Sequence, residues 1–219
     1  MCLSAEVDFG MGVAISAVGV ASLTRVRQRR EVLLAALPLA FGLHQIAEGF
    51  VWLGLEGRVS ASVGDVALHA YVLYAWALLP VLAPLAVLLI ERDPRHRRWM
   101  GAFLTLGTIV AASLVWPVLH DRVTAHIVEH TIRYHGAGSL GGLLTVAYVV
   151  ATCGALLASS DRRIVVVGMV NVVAVTAIVW LQAQALTSVW CVWAAILSAL
   201  VWSYLGDTDE QRAALITAR

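Results

Sequence analysis

Residues 32–55 read VLLAALPLAFGLHQIAEGFVWLGL, an apolar run whose only polar side chains are one histidine, one glutamine and one glutamate. An α-helix rises about 1.5 Å per residue, so about 20 residues cross a hydrocarbon layer about 30 Å thick. The run is continuous and does not alternate with period two, as a strand of a membrane barrel would. It therefore predicts a transmembrane helix over Val32–Leu55.

The whole chain has the composition of a membrane protein. Of its 219 residues, 60% are hydrophobic and 13% are charged, against ~45–50% and ~25% in soluble domains. We predict an all-α polytopic membrane protein, a bundle of seven transmembrane helices over residues 1–205, followed by a short cytoplasmic tail at 206–219. The six further predicted spans are Ser4–Leu23, Val66–Ile90, Trp99–His120, Ser139–Ser160, Ile164–Leu186 and Ser188–Leu205.

The arginines predict the orientation. All 15 basic residues are arginine, and basic residues near helix ends are retained in the cytoplasm. The chain ends and the connections between spans alternate between the two sides of the membrane. Those on one side hold most of the arginines, and those on the other side hold only Arg58, Arg122 and Arg133. The N-terminus is thus expected outside and the C-terminus in the cytoplasm, which seven crossings satisfy. The richer set is Arg25, Arg27, Arg29, Arg30, Arg92, Arg95, Arg97, Arg98, Arg162, Arg163, Arg212 and Arg219.

Several functions are not expected of this chain. A retinal protein needs a lysine amine for its Schiff base, and the sequence contains no lysine. No glycine-rich phosphate loop with a lysine is present, so nucleotide binding is not expected. Topology and anionic lipid headgroups account for the arginine clusters, so nucleic acid is not an expected partner either.

His44 and Glu48 are the polar residues whose place in a transmembrane helix costs the most. Four residues apart on one helix face, their Cβ atoms would lie ~5–6 Å from each other. A carboxylate facing lipid would cost several kcal/mol, so Glu48 must turn into the bundle and meet a proton, a cation or a base. The alternative is a purely structural Glu48, kept neutral by desolvation and hydrogen-bonded to His44, Gln182 or Gln184.

Most of the other histidines fall near the predicted outer face, namely His69, His120, His126, His130 and His135. Residues 121–135 contain neither Gly nor Pro, so we predict an outer interfacial helix over about 121–135. His126 and His130 would then share a face and could hold one metal ion, with Glu129 beside them as a base. A solvated amphipathic helix without a metal is the alternative interpretation.

These observations combine into one leading hypothesis, a metal site in the outer half of the bundle. The expected ion is a divalent transition metal (zinc, iron or copper), with Glu48 or Glu129 as the proton acceptor for a metal-bound water. The protein would then be a membrane-embedded metalloenzyme acting on a lipid-soluble or small substrate. The alternative function is a proton or metal-cation transporter or channel that uses Glu48 and His44. The candidate ligands are His44, Glu48, His69, His126, His130 and Cys2, with Cys2 or Glu6 as a possible cap.

Two short motifs carry a resemblance to a known family. The opening Met1-Cys2-Leu3-Ser4-Ala5 and the segment Glu48-Gly49-Phe50-Val51-Trp52 resemble a family of small multi-pass membrane proteins common in actinobacteria and other bacteria. Its members begin Met-Cys-x-Ser-Ala and carry Glu-Gly-x-x-Trp on the second helix. The resemblance covers the first two helices and implies an inner-membrane protein without an assigned activity. Leu3 departs from the aromatic residue expected at its position.

Overall fold

The computed structural model describes residues 4–120, 123–128, 131–136, 142–180 and 193–206. Helices dominate these ranges, and one β-hairpin follows the fifth of them. The helices are α1 (Ala5–Thr24), α2 (Val32–Leu55), α3 (Ala61–Val72), α4 (Leu79–Ile90), α5 (Pro94–His120), α6 (Gly142–Leu157), α7 (Arg162–Trp180) and α8 (Trp193–Gly206). The strands are β1 (Thr124–Val128) and β2 (Thr131–His135).

Within these ranges, four helical spans are long and apolar enough to cross a membrane: Ala5–Thr24, Arg29–Leu55, Ala61–Ile90 and Pro94–His120. The span Ala61–Ile90 includes α3 and α4 as one continuous helical segment, so the described residues hold seven helical units. The all-α class is confirmed. Two of the remaining units, Gly142–Leu157 and Trp193–Gly206, are shorter apolar helices.

The α1–α2 pair packs through glycines that allow its two backbones to approach closely. A Cβ on Gly19 would lie 2.3 Å from the backbone nitrogen of Leu39, and one on Gly12 would lie 2.9 Å from the carbonyl oxygen of Gly42. Small residues at a helix crossing allow such an approach. This packing brings the first turns of α1 against the second half of α2.

A π-helical segment, Leu73–Leu78, connects α3 to α4. The widening follows from Pro80, which has no N–H to donate. In a π turn the carbonyl of Ala75 would accept the backbone N–H of residue 80, which is a proline and has none. The hydroxyl of Tyr148 donates to the Ala75 carbonyl instead, at 2.8 Å. The irregular segment is thereby satisfied from α6, and it carries Tyr74 into the core.

The predicted interfacial helix over 121–135 is wrong, because the structure has an antiparallel hairpin there. Val128 pairs with Thr131, and Ala125 pairs with Tyr134. The β-branched residues of this stretch favour a pleated strand, in which alternate side chains share a face. Ala125 and Ile132 are buried against the bundle, whereas His126, Arg133 and His135 lie on the exposed face.

The hairpin covers one end of the bundle, which we call the hairpin end; α2 finishes there at Leu55. The buried residues of the hairpin pack with Val51, Trp52, Tyr71 and Val118 in one apolar cluster. The opposite end, which we call the arginine end, contains Arg25–Arg30, Glu91–Arg98 and Asp161–Arg163. The two ends therefore differ in both structure and charge.

Candidate functional site

Three polar side chains form a buried hydrogen-bonded cluster between α1 and α2. The side-chain amide of Gln45 donates to Asp8 Oδ1 at 2.5 Å and to Glu48 Oε2 at 3.1 Å. All three residues are at most 1% exposed. Gln45 and Glu48 lie one turn apart on α2, and the glycine-mediated packing of α1 brings Asp8 to the same point. One amide thus joins two buried carboxyl groups.

Two tyrosines complete the surroundings of Glu48. The hydroxyl of Tyr134, on β2 of the hairpin, donates to Glu48 Oε1 at 3.1 Å. The hydroxyl of Tyr71 on α3 also lies beside the Glu48 carboxyl, and the two tyrosine rings stack with centroids 4.6 Å apart. The hydrogen bonds that the described residues donate to this carboxyl therefore come from neutral groups.

His44 is buried, as predicted, but it does not pair with Glu48. Its ring stacks on Tyr71 with centroids 4.1 Å apart and lies tilted against Tyr74 at 4.7 Å. Neither ring nitrogen has a hydrogen-bond partner among the described residues. Buried polar atoms are nearly always satisfied, so this imidazole is available for a proton, a water molecule or a ligand.

A row of four rings, which we call the aromatic row, links the cluster to a cavity deeper in the bundle. Its members are Tyr71, His44, Tyr74 and Phe41. Tyr74 contacts Phe41 edge-on, with ring centroids 6.0 Å apart, and Phe41 lines an apolar cavity of about 290 Å³ between α2, α4, α6, α7 and α8. The cavity wall includes Asn171, whose side-chain oxygen accepts from Trp193 Nε1 at 3.0 Å. On this side of His44 the surroundings are mostly hydrocarbon.

The remaining predicted ligands are dispersed. His69 Nδ1 lies 2.8 Å from the backbone oxygen of Asp65, and the exposed ring of His126 lies 6.0 Å from that of His135. Glu6 is at the surface, paired with Arg58. Within the ranges that the structure describes, no three His, Cys, Asp or Glu side chains are grouped to hold a metal ion. Cys2, Glu129 and His130, together with Gln182 and Gln184, lie outside those ranges.

Comparison with known proteins identifies the family. Residues 1–215 match the model of a family of unknown function, DUF6629. The chain belongs to this family. It matches no curated protein and no solved structure. The expectation of an uncharacterised family is thus confirmed over nearly the whole chain, well beyond the first two helices.

The two ends of the Glu48–Trp52 motif are both buried in this DUF6629 protein, and the motif's glycine has a packing role. A Cβ on Gly49 would lie 2.9 Å from the ring of Phe9 on α1. Glu48 belongs to the buried hydrogen-bonded cluster, and Trp52 packs against the buried face of the hairpin. The motif therefore combines a buried carboxyl group with the contacts that hold α1 and the hairpin around it.

Sequence reasoning missed Asp8, Tyr71 and Tyr134 as parts of the site. Asp8 gave a usable signal, because it is an acidic residue inside an apolar span and faces the same cost as Glu48. The tyrosines gave none, since tyrosine is common in apolar cores and at interfaces. Their roles depend on contacts between α2, α3 and the hairpin.

Proposed function

We propose that the protein is a proton-linked membrane transporter whose working centre is the cluster of Asp8, Gln45 and Glu48. The observation that carries this proposal is the buried amide of Gln45 joining two carboxyl groups. Carboxyl groups inside a membrane bundle typically form proton relays or ion pathways. Two of them in one network interact strongly, so the pair binds and releases protons as a unit.

The contacts of the centre favour access from the hairpin end. Tyr134 links Glu48 directly to the hairpin, whose outer face is exposed. Toward the arginine end, the aromatic row and the apolar cavity follow, without a continuous line of polar side chains among the described residues. A buried centre that contacts the hairpin end and is separated from the arginine end by apolar groups suits alternating access, in which the protein exposes its site to each side in turn.

The tyrosines and His44 take distinct roles in this mechanism. Tyr134 donates to Glu48 and can pass a proton between the carboxyl and the hairpin surface, since a hydroxyl is both donor and acceptor. Gln45 keeps Asp8 and Glu48 in one network. His44, whose two ring nitrogens have no partner in the described part of the chain, is the next group on the path toward the cavity and would receive a proton when the aromatic row rearranges.

The metal hypothesis of the sequence analysis receives less support from the geometry. The described histidines are dispersed, and the Glu48 carboxyl is occupied by Gln45, Tyr71 and Tyr134. A site completed by Cys2, Glu129 or His130 stays a prediction. Metal analysis of detergent-purified protein tests it, with Glu48→Gln as the comparison variant.

The proton centre is tested by infrared difference spectroscopy as the pH is changed. We expect the wild type to show a carboxylic C=O band that appears and disappears with pH, and Glu48→Gln to lose the part due to Glu48 and to shift the pH at which the Asp8 part changes. Glu56→Gln is the matched control, because Glu56 is paired with Arg58 at the surface of the same end. An identical band in Glu48→Gln, or no pH-dependent band in the wild type, would refute the proposal.

Transport itself is tested in liposomes that contain a pH-sensitive dye. With an imposed membrane potential, we expect proton flux through the wild type and through Glu56→Gln, and flux reduced at least about tenfold in Glu48→Gln, as loss of a relay group gives. Glu48-dependent proton binding without any flux would retain the centre but exclude simple proton conduction.

A further inference from the structure

The arginine end contains a polar cavity, far from the carboxyl cluster. Its volume is about 520 Å³, and it opens between the α1–α2 connection, the α4–α5 connection and the start of α7. Four arginines line it, Arg30, Arg92, Arg162 and Arg163, together with Glu31, Glu91 and Asp161. Nothing in the proposed proton centre involves these residues.

The acidic groups of this cavity are already occupied. Glu91 Oε1 accepts the backbone N–H groups of Arg92 and Asp93 at 2.8 and 3.0 Å, and its other oxygen accepts the N–H of Ser160 at 2.8 Å. The hydroxyls of Ser159 and Ser160 also donate to this carboxylate. Burial opposes ionisation of Glu91, but these hydrogen bonds outweigh it and lower its pKa to about 2. Glu91 is thus an ionised structural group that joins two connections.

Glu31 and Asp161 are also engaged with the backbone. Glu31 Oε2 accepts the N–H groups of Arg27 and Gln28, each at 3.1 Å. Asp161 Oδ1 accepts the N–H of Arg163 at 2.9 Å, in the first turn of α7. The carboxylates therefore serve the local fold of the connections.

The arginines are in the opposite situation. The guanidinium groups of Arg30, Arg92 and Arg162 make no hydrogen bond or ion pair with any residue in the described part of the chain. Three guanidinium groups around one cavity, without a partner among the residues that the structure describes, favour an anion, and a guanidinium presents a fork of donors that matches phosphate oxygens.

We propose that this cavity binds a phosphate group through Arg30, Arg92 and Arg162. The group could belong to an anionic phospholipid headgroup or to a soluble phosphate. The chemistry of the contact is the same in both cases, and the position of the cavity at the end of the helices places it at headgroup level if the bundle spans a membrane.

Two measurements on the full-length protein distinguish these sources. Native mass spectrometry from micelles with equal phosphatidylglycerol and phosphatidylcholine reports retention of an anionic headgroup. Calorimetric titration with inorganic phosphate reports binding of the free anion. The test variant is Arg30→Gln/Arg92→Gln/Arg162→Gln. The matched control, Arg29→Gln/Arg95→Gln/Arg98→Gln, removes the same charge from exposed arginines at the same end that do not line the cavity.

We expect the test variant to lose phosphatidylglycerol retention or to bind phosphate at least about tenfold more weakly, as loss of one charge-assisted hydrogen bond gives. The control should bind as the wild type does. Preferential lipid retention would identify a headgroup, and phosphate binding without lipid preference a soluble phosphate. Equal losses in both variants, or a wild type that binds neither probe, would overturn the site. Circular dichroism and gel filtration confirm that both variants are folded.

Discussion

Asp8 and Glu48 lie on different helices and share one hydrogen-bond donor, the side-chain amide of Gln45. This arrangement depends on α1 and α2 packing closely enough for a short aspartate side chain to reach across the helix boundary. It also makes Gln45 the donor that both carboxyl groups share, since one amide nitrogen supplies a hydrogen to each of them.

Replacement of Gln45 should therefore affect both acids. Gln45→Leu has a similar size but leaves two buried carboxyl groups without their common donor. We expect a loss of about 1–3 kcal/mol in the free energy of unfolding, because each buried carboxyl group loses one hydrogen bond while Glu48 keeps its bond from Tyr134. Thermal unfolding in detergent, followed by tryptophan fluorescence, measures it. Thr108→Leu, on the exposed face of α5, is the control and should change stability little.

The hydroxyl of Tyr134 should hold the hairpin on the bundle. Tyr134→Phe keeps the ring that stacks on Tyr71 and removes the hydroxyl that donates to Glu48, which should cost about 1–3 kcal/mol. We expect faster amide hydrogen exchange in β1 and β2, with little change in α5. Thr124→Val, on the exposed face of the same hairpin, should leave the exchange unchanged. Equal protection in Tyr134→Phe and the wild type would contradict the role assigned to this contact.

Glycine packing between α1 and α2 can be tested with two alanine substitutions on the same helix. At Gly19 an added Cβ would meet backbone atoms of Leu39 at 2.3 and 2.5 Å, whereas at Gly10 it would meet nothing within 4 Å. We expect Gly19→Ala to lower the thermal unfolding temperature and separate the helices. Gly10→Ala should be neutral or stabilising by about 0.5–1 kcal/mol, because alanine favours a helix. Equal effects would show that the helices do not cross as described.

Glu91 predicts a specific dependence of stability on pH. Its pKa falls from 4.5 to about 2 on folding, so it stabilises the fold fully above its unfolded pKa. That contribution is lost as the pH falls from about 4.5 toward 2, and it amounts to about 3 kcal/mol. Denaturation at a series of pH values should show the stability difference between wild type and Glu91→Gln shrinking across this window. Glu56→Gln serves as the control, and a constant difference for Glu91→Gln would contradict the assignment.

The sequence allowed much of the helical framework to be predicted. The predicted span Val32–Leu55 coincides with α2, and Ser4–Leu23 differs from α1 by one residue at each end. The burial of His44 and Glu48 also followed from the cost of exposing them to lipid. These predictions succeeded because the length and polarity of a helix are local properties. The hairpin was mispredicted because the absence of Gly and Pro permits a helix without requiring one, and the β-branched residues favoured strands.

The partners of Glu48 could not be read from the order of the residues. His44 has the right spacing on α2 to pair with it, yet the ring is held between Tyr71 and Tyr74, and Glu48 instead meets Gln45 and Tyr134. Tyr134 is 86 positions away in the sequence, so no helical periodicity relates the two. The same holds for Asp8, which reaches the site only through the glycine contacts between α1 and α2.

Taken by itself, the sequence determined which segments are apolar enough to be helices, which charged residues gather between them, and which acid inside an apolar span must find a polar neighbour. Hydropathy and desolvation act on each segment wherever it lies, so neither needs a fold to be evaluated. Only the tertiary structure decided which neighbours donate hydrogen bonds to that acid. Hydrogen bonds depend on directions and on distances of a few ångströms, and these arise when α1, α2, α3 and the hairpin pack together.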